Sequence, residues 1–252
     1  MRTGTKGAGH STTLKFSIWL YTMRVRLVTF VVVFVLFAVS LRGQYCPLTG
    51  SKPGSWSKLS SAVCYDQSND QLHLKVLSPD KQKSVLVEGR HADDQSLFIS
   101  SNGVNIEKLQ PAFLGIEVLW SPDSRGLALT ICSGSSGPCG TRTTLDGGRE
   151  SLSDIVTAAF SAGHKADPCY TEANVGALTW EQGSEKIVLI AEVPPSPQCN
   201  GHHDGYFEAF VVSVRDGKIL SRVSMQETVH RWHSILGSRL RSDIKLVRED
   251  GG

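Results

Sequence analysis

Aspartate and glutamate are missing from the first 43 residues, although the chain has 24 of them. That stretch carries Arg2, Lys6, Lys15, Arg24, Arg26 and Arg42, six of the 26 basic residues. Residues 44–252 therefore hold 20 basic against 24 acidic residues, a formal net of −4. A nucleic-acid-binding domain is expected to be basic, so the balance argues against nucleic acid as a partner. Cys-x-x-Cys spacing is also absent, which removes the finger and ribbon types of zinc site. No Gly-x-Ser-x-Gly elbow, His-Glu-x-x-His helix or phosphate-cradling glycine motif occurs. Serine hydrolases, zincins and P-loop enzymes defined by those motifs are thus without support. Gly134-Ser135-Ser136-Gly137 reads as a flexible loop, because nothing holds its serines on a strained turn. Asp93, Asp94, Glu107 and Glu181 are acidic but are not brought together by any spacing. No catalytic residue, metal or cofactor is assigned.

What is present begins with an uncharged run, Leu27–Leu41, between Arg26 and Arg42. A spanning helix needs roughly 20 apolar residues and a signal-peptide core about 7–15. The run has the signal-peptide length, and Ala38-Val39-Ser40 offers a small-x-small cleavage pattern. Residues 1–43 are therefore expected to be a signal peptide, or a signal anchor if uncleaved, with Met1 or Met23 as the start. The basic side lies N-terminal, which sends the remainder outward. The expected location is periplasmic or extracellular, with membrane contact only through residues 27–41 if they are retained.

All six cysteines, Cys46, Cys64, Cys132, Cys139, Cys169 and Cys199, follow this leader. An even count beyond an export signal reads as a disulfide set. Fifteen pairings are available to six cysteines, and the most economical is sequential. Cys46–Cys64 would pin an irregular opening segment, 44–69. Cys132–Cys139 would close the SGSSGP loop, and Cys169–Cys199 would staple the loops flanking the strands between them.

The body, 70–240, reads as mainly β, with antiparallel sheets. Gln71–Val76 alternates apolar and polar residues, the period of a half-buried strand. Further strands are expected at Ser84–Glu88, Ser96–Ser100, Gly115–Trp120 and Leu127–Ile131, separated by Pro-Asp, Asn-Gly or Arg-Gly turns. Ile187–Val193 is a continuous apolar run, which fits a strand covered on both faces. Phe207–Val214 and Ile219–Val223 flank Asp216-Gly217, a hairpin signal of type I′. Two short helices break the pattern. One spans about 151–163, with Ser151 as N-cap, Gly163 as stop and Leu152, Ile155, Val156, Ala159 and Phe160 on one face. The other spans about 225–236, opened by the Ser224/Glu227 capping box, with Met225, Val229, Trp232 and Leu236 facing the sheets. His230 and His233 lie one turn apart on it, a spacing more usual of a solvated face. Residues 241–252 read as a charged tail.

Leu119-Trp120-Ser121-Pro122-Asp123-Ser124-Arg125-Gly126-Leu127-Ala128-Leu129 resembles the W-S-P-D-G-x-x-L-A-F repeat of TolB-like β-propellers, which are WD-repeat-like in architecture. A second copy stands at Leu77–Val85, and Ser78 precedes Ser121 by 43 residues, close to the roughly 40–45 of a blade. A third echo, Leu178–Gly183 followed by Lys186–Leu189, lacks the Pro-Asp and requires an inserted element before it, which the 151–163 helix supplies. The resemblance implies a small or incomplete propeller-like array that binds a partner on its loops.

Two loops are the candidate surfaces, Cys132–Cys139 and Pro194–Gly205. The latter joins two strands and carries Cys199-Asn200-Gly201-His202-His203-Asp204. His202, His203 and Asp204 are its candidate binding residues. The expected function is an exported, non-enzymatic module for an envelope or extracellular protein partner. The alternatives are an exported hydrolase with dispersed catalytic residues and a membrane-anchored structural component.

Overall fold

The computed structural model describes residues 52–66, 71–89, 96–101, 104–109, 115–132, 139–145, 148–164, 167–194 and 205–249. Cys46, Cys199, His202, His203, Asp204 and the 1–43 leader lie outside the described residues. So do the expected pairings Cys46–Cys64 and Cys169–Cys199.

The protein is mainly β, with all strand pairs antiparallel. Strands β3 (Cys64–Asp66), β4 (Gln71–Leu77), β5 (Lys83–Gly89), β6 (Ser96–Ser101) and β7 (Val104–Leu109) follow one another in a five-stranded meander. A six-stranded sheet has the order β1 (Lys52–Pro53), β2 (Ser61–Ala62), β8 (Gly115–Trp120), β9 (Leu127–Cys132), β10 (Cys139–Leu145), β11 (Gly148–Ser151). A third sheet is a four-stranded meander of β12 (Asn174–Glu181), β13 (Lys186–Glu192), β14 (Phe207–Ser213) and β15 (Ile219–Val223). Helix α1 (Ser153–Gly163) and a 3-10 turn (Pro168–Tyr170) are inserted between the last two sheets. Helices α2 (Met225–Trp232) and α3 (Ser238–Glu249) close the chain. Among the described residues no helix is long and apolar enough to cross a membrane.

Side-chain alternation makes the sheets pack in series. Ile116, Val118, Leu127 and Leu129 join Leu74, Val85, Val87, Leu97 and Ile99 in the core between the five- and six-stranded sheets. The intervening Leu119 and Ala128 point the other way, into a core with α1 and the four-stranded sheet. Strand β13 repeats the logic. Ile187, Leu189 and Ala191 enter that α1-side core, whereas Val188 and Ile190 enter a third core with Trp56, Leu236 and Leu240. This strand is covered on both faces, as its unbroken apolar run requires.

The two Ser-Pro-Asp turns carry the same bonding. Ser78 N donates to Lys83 O at 2.9 Å, and Ser121 N to Gly126 O at 2.8 Å. In each, the serine hydroxyl donates to the aspartate at 2.6 Å and accepts from the residue five positions on, at 2.9 and 2.7 Å. The residue after the aspartate is left-handed, Lys81 at φ 63° and Ser124 at φ 61°, where the repeat consensus has glycine. The corresponding β12–β13 turn differs, with Gln182 at φ 52° and Gly183 at φ 69°. The three turns are nonetheless linked in sequence order. Asp80 N donates to Ser124 Oγ at 2.9 Å, and Ser184 Oγ donates to Asp123 Oδ2 at 2.9 Å.

Threonines join the six- and four-stranded sheets. Thr141 Oγ1 donates to Val175 O at 3.0 Å, and Ala177 N donates to Thr130 Oγ1 at 3.0 Å. The outer edge of β12 thereby finds partners for backbone groups that burial would otherwise leave unpaired.

Several expectations are corrected at element ends. Ser151 closes β11, and the α1 N-cap is Leu152, without a side-chain bond. Ser153 Oγ instead accepts from Thr141 N. Ile155, placed on the buried face by periodicity, is 38% exposed. The second helix ends at Trp232, because Leu236 forms a bridge with Ser57. The expected tail lies largely within α3, whose Leu240 is buried. In the β14–β15 turn only Gly217 has positive φ, +65°, so the turn is not type I′. The Ser224 cap is present, with its Oγ accepting from Glu227 N at 3.3 Å. His230 and His233 are exposed. The described part of the opening segment is held by tertiary bonds. Glu117 accepts from Ser55 N and Oγ at 2.6 Å and from Ser60 Oγ at 2.7 Å, while Gly237 N donates to Trp56 O at 2.9 Å.

Candidate functional site

One end of the four-stranded sheet gathers the stems of both candidate loops. Val193 N donates to Tyr206 O at 2.9 Å, and Gly205 N to Val193 O at 3.2 Å, so the stem of the 195–204 segment is closed by backbone bonds. Cys132 and Cys139 are cross-strand partners and are joined by a disulfide. The expected bridge is therefore present, and Cys169 is disulfide-bonded as well. Cys139 N donates to Asn174 Oδ1 at 2.9 Å, and Asn174 stands opposite Glu192 in the β12–β13 register. A single asparagine thus links the stem of the Cys132–Cys139 loop to the strand that leads into the second loop.

Two carboxylates are buried here, one on each face of the sheet. Charges are expensive to bury unless paired, and each of these has an arginine. On the α3 face, Glu192 is 1% exposed and accepts from Arg239 Nε at 2.7 and 2.9 Å. The Arg239 guanidinium also lies 5.0 Å over the Trp56 ring. Beside them sits Asp243, 8% exposed, one of whose oxygens, Oδ2, has no hydrogen-bond partner. Two acids therefore share one guanidinium. Burial pushes Glu192 above its ordinary value, with Arg239 opposing. Burial and then the Glu192 charge push Asp243 up to about 7. A proton held between them resolves the conflict, as in other close carboxylate pairs.

On the α1 face, Glu208 is 4% exposed. Arg222 grips it with two bonds, Nε to Oε2 and Nη2 to Oε1, the latter at 2.8 Å. Tyr206 donates its hydroxyl to Oε1 at 2.8 Å. Burial raises the Glu208 carboxyl, but the bonds from Arg222 and Tyr206 outweigh it and hold the group below its usual range. Burial and the adjacent Glu208 hydrogen bond push the Tyr206 phenol upward. His164 Nε2 lies 2.9 Å from Arg222 Nη2 and 3.3 Å from Glu208 Oε1. A guanidinium only donates, so in the Arg222 contact His164 Nε2 is the acceptor. The imidazole stacks on Tyr170 with centroids 3.9 Å apart, which ties the 3-10 turn carrying Cys169 to this cluster. A Cβ at Gly163 would fall 1.7 Å from Arg222 Nη1, so a larger residue there would push the guanidinium aside.

The arrangement is built to hold a framework. Apart from Asp243 Oδ2, the carboxylate oxygens of both clusters are taken up by bonds within the clusters. Among the described residues no group of three histidine, cysteine or acidic side chains converges as a metal site would require. Sequence reading missed Glu192, Asp243, Arg239, Glu208 and Arg222. The available signal was a lone glutamate in each of two largely apolar strands, Lys186–Glu192 and Phe207–Ser213. For α3 it was the Arg239/Asp243 spacing of four, which places both on one helix face. No family model matches the chain, and no curated protein matches it.

Proposed function

We propose that the protein is an exported, non-enzymatic module that binds an envelope or extracellular protein through the loops Cys132–Cys139 and Pro194–Gly205. The observation that carries this reading is the shared stem. A disulfide, Asn174 and two buried arginine–carboxylate pairs fix the roots of both loops where the six-stranded sheet meets one end of the four-stranded sheet. Loops on a rigid scaffold are where recognition residues concentrate, and fixing the roots lowers the ordering cost of association. His202, His203 and Asp204 are the binding residues of this reading. The bonded state of Cys132, Cys139 and Cys169 accords with an oxidising compartment, and the acid-free, arginine-flanked leader supplies the route. The antiparallel sheets and their linked turns accord with a small or incomplete propeller-like array.

The test is photo-cross-linking in intact cells from single positions, Ser135 and Asn200 in the loops against Glu227 on the exposed face of α2. A discrete adduct from the loop positions and none from Glu227 supports the reading. Identical patterns from all three, or a product found in the cytosol with its thiols reduced, defeats it.

A further inference from the structure

The end of the four-stranded sheet away from the buried carboxylates has a chemistry of its own. A cleft of about 570 Å³ opens there between the 121–126 turn of the six-stranded sheet and the 182–185 and 214–218 turns of the four-stranded sheet. Arg125, Lys186 and Arg215 bring three cations to the lining, against the carboxylate of Glu185 and that of Asp123 behind Ser184, which Arg125 already faces. This excess of positive charge sits on a body whose formal net is −4 beyond residue 43. Among the described residues, Lys186 and Arg215 have no ion-pair partner. The Ser184 and Ser213 hydroxyls add hydrogen-bonding groups, and the 45%-exposed Leu220 adds an apolar edge.

The walls are fixed in advance of any ligand. Ser184 Oγ ties the two sheets together through Asp123 Oδ2 at 2.9 Å. Gly126 lies flat on Trp180, where a Cβ would come within 2.7 Å of the ring. Val214 N donates to Glu185 O at 3.0 Å and Ser213 N to Lys218 O at 2.9 Å, so the turns bearing Glu185 and Arg215 are bonded to each other. A pocket of a few hundred Å³ between packed elements is the usual setting for a small ligand, and same-sign charge in a cleft concentrates counter-ions.

We propose that this cleft binds a small multivalent anion, a molecule carrying two or more phosphate or carboxylate groups. Multivalency follows from magnitude. One exposed ion pair changes affinity by no more than about fivefold, so a monovalent ion would not be retained. An anion meeting Lys186 and Arg215 together would gain on the order of 25-fold. This assignment is independent of the loop-end binding surface.

Isothermal titration of the full-length chain with inorganic pyrophosphate and with citrate, at low and at physiological ionic strength, tests it. Saturable one-to-one binding of either probe is expected, weakening with salt. Pyrophosphate preference assigns the phosphate class and citrate preference the carboxylate class. The double substitution Lys186→Ala/Arg215→Ala should weaken binding about tenfold. Glu185→Gln should tighten it about two- to fivefold, a gain that misfolding would not produce. Absence of binding by both probes, affinity unmoved by the double substitution, or no tightening in Glu185→Gln overturns the proposal.

Discussion

Replacing Asp243 by asparagine should stabilise the protein at neutral and alkaline pH, although it alters a buried polar cluster. Asp243 is 8% exposed, stands beside Glu192, and its Oδ2 has no partner. The folded protein raises this carboxyl from 3.8 to about 7. An acid whose pKa rises on folding keeps its proton in the native state after the unfolded chain has lost it. Stability is thus fully present below about pH 4, declines as pH climbs through about 7, and is lost above that value. The limiting slope is about 1.4 kcal/mol per pH unit, and a shift of roughly three units makes the ceiling on the order of 4 kcal/mol. The proton belongs to the Glu192–Asp243 pair, so the titration reports the pair. Asparagine has no charge to lose, and its amide can donate to Glu192 in place of the carboxylic acid. Urea denaturation of both proteins at pH 5, 7 and 8.5 isolates the effect of the pair, since groups outside it cancel in the difference. The difference should move in favour of Asp243→Asn by a few kcal/mol between pH 5 and 8.5. A pH-independent difference, or a variant less stable than the parent at pH 8.5, would refute the shared-proton account.

The α1-face carboxylate predicts the opposite dependence. Glu208 is held below its ordinary 4.5, so its contribution is present above that value and disappears as acid titrates the folded group. In Arg222→Ala this acid limb should steepen least, because the lowering is removed. Arg222→Ala should also lose about 3 kcal/mol at pH 7 by stranding a buried charge, whereas Glu208→Gln should lose only about 1 kcal/mol, since Arg222 is exposed enough to meet water. Equal losses would contradict this ordering. Lys81→Gly should gain about 0.5–1 kcal/mol by relieving a left-handed backbone at an exposed position. Ser124→Gly, at the matching position, should gain nothing, because it deletes the acceptor of Asp80 N. Thermal melts of the two distinguish backbone strain from bonding. Trp56→Ala should cost about 3–5 kcal/mol, as this side chain fills the core between β12 and the chain's closing segment.

Local pattern carried much of this protein. The strand at Gln71–Leu77, the doubly covered run Ile187–Val193, the Ser-Pro-Asp turns and the Ser224 cap each depend on neighbours within a few residues, and each is present in the structure. The Cys132–Cys139 bridge belongs with them, because hairpin partners on adjacent strands are brought together by short-range pairing. Failures of local reasoning cluster where a distant group intervenes. The second helix stops at Trp232 because Leu236 is taken by Ser57, from the far end of the domain. The supposed charged tail is helical because Leu240 finds the core beside Trp56. The opening segment is ordered by Glu117, about 60 residues away. Glu192 and Glu208, each with apolar residues on at least one side, went unmarked in the sequence. Their arginines come from Arg239 and Arg222, 47 and 14 residues further along the chain. Hydrophobic period and turn chemistry are properties of a short stretch of chain, and they are written in it. Which buried charge meets which counter-charge depends on how three sheets stack, and only the folded chain decides that.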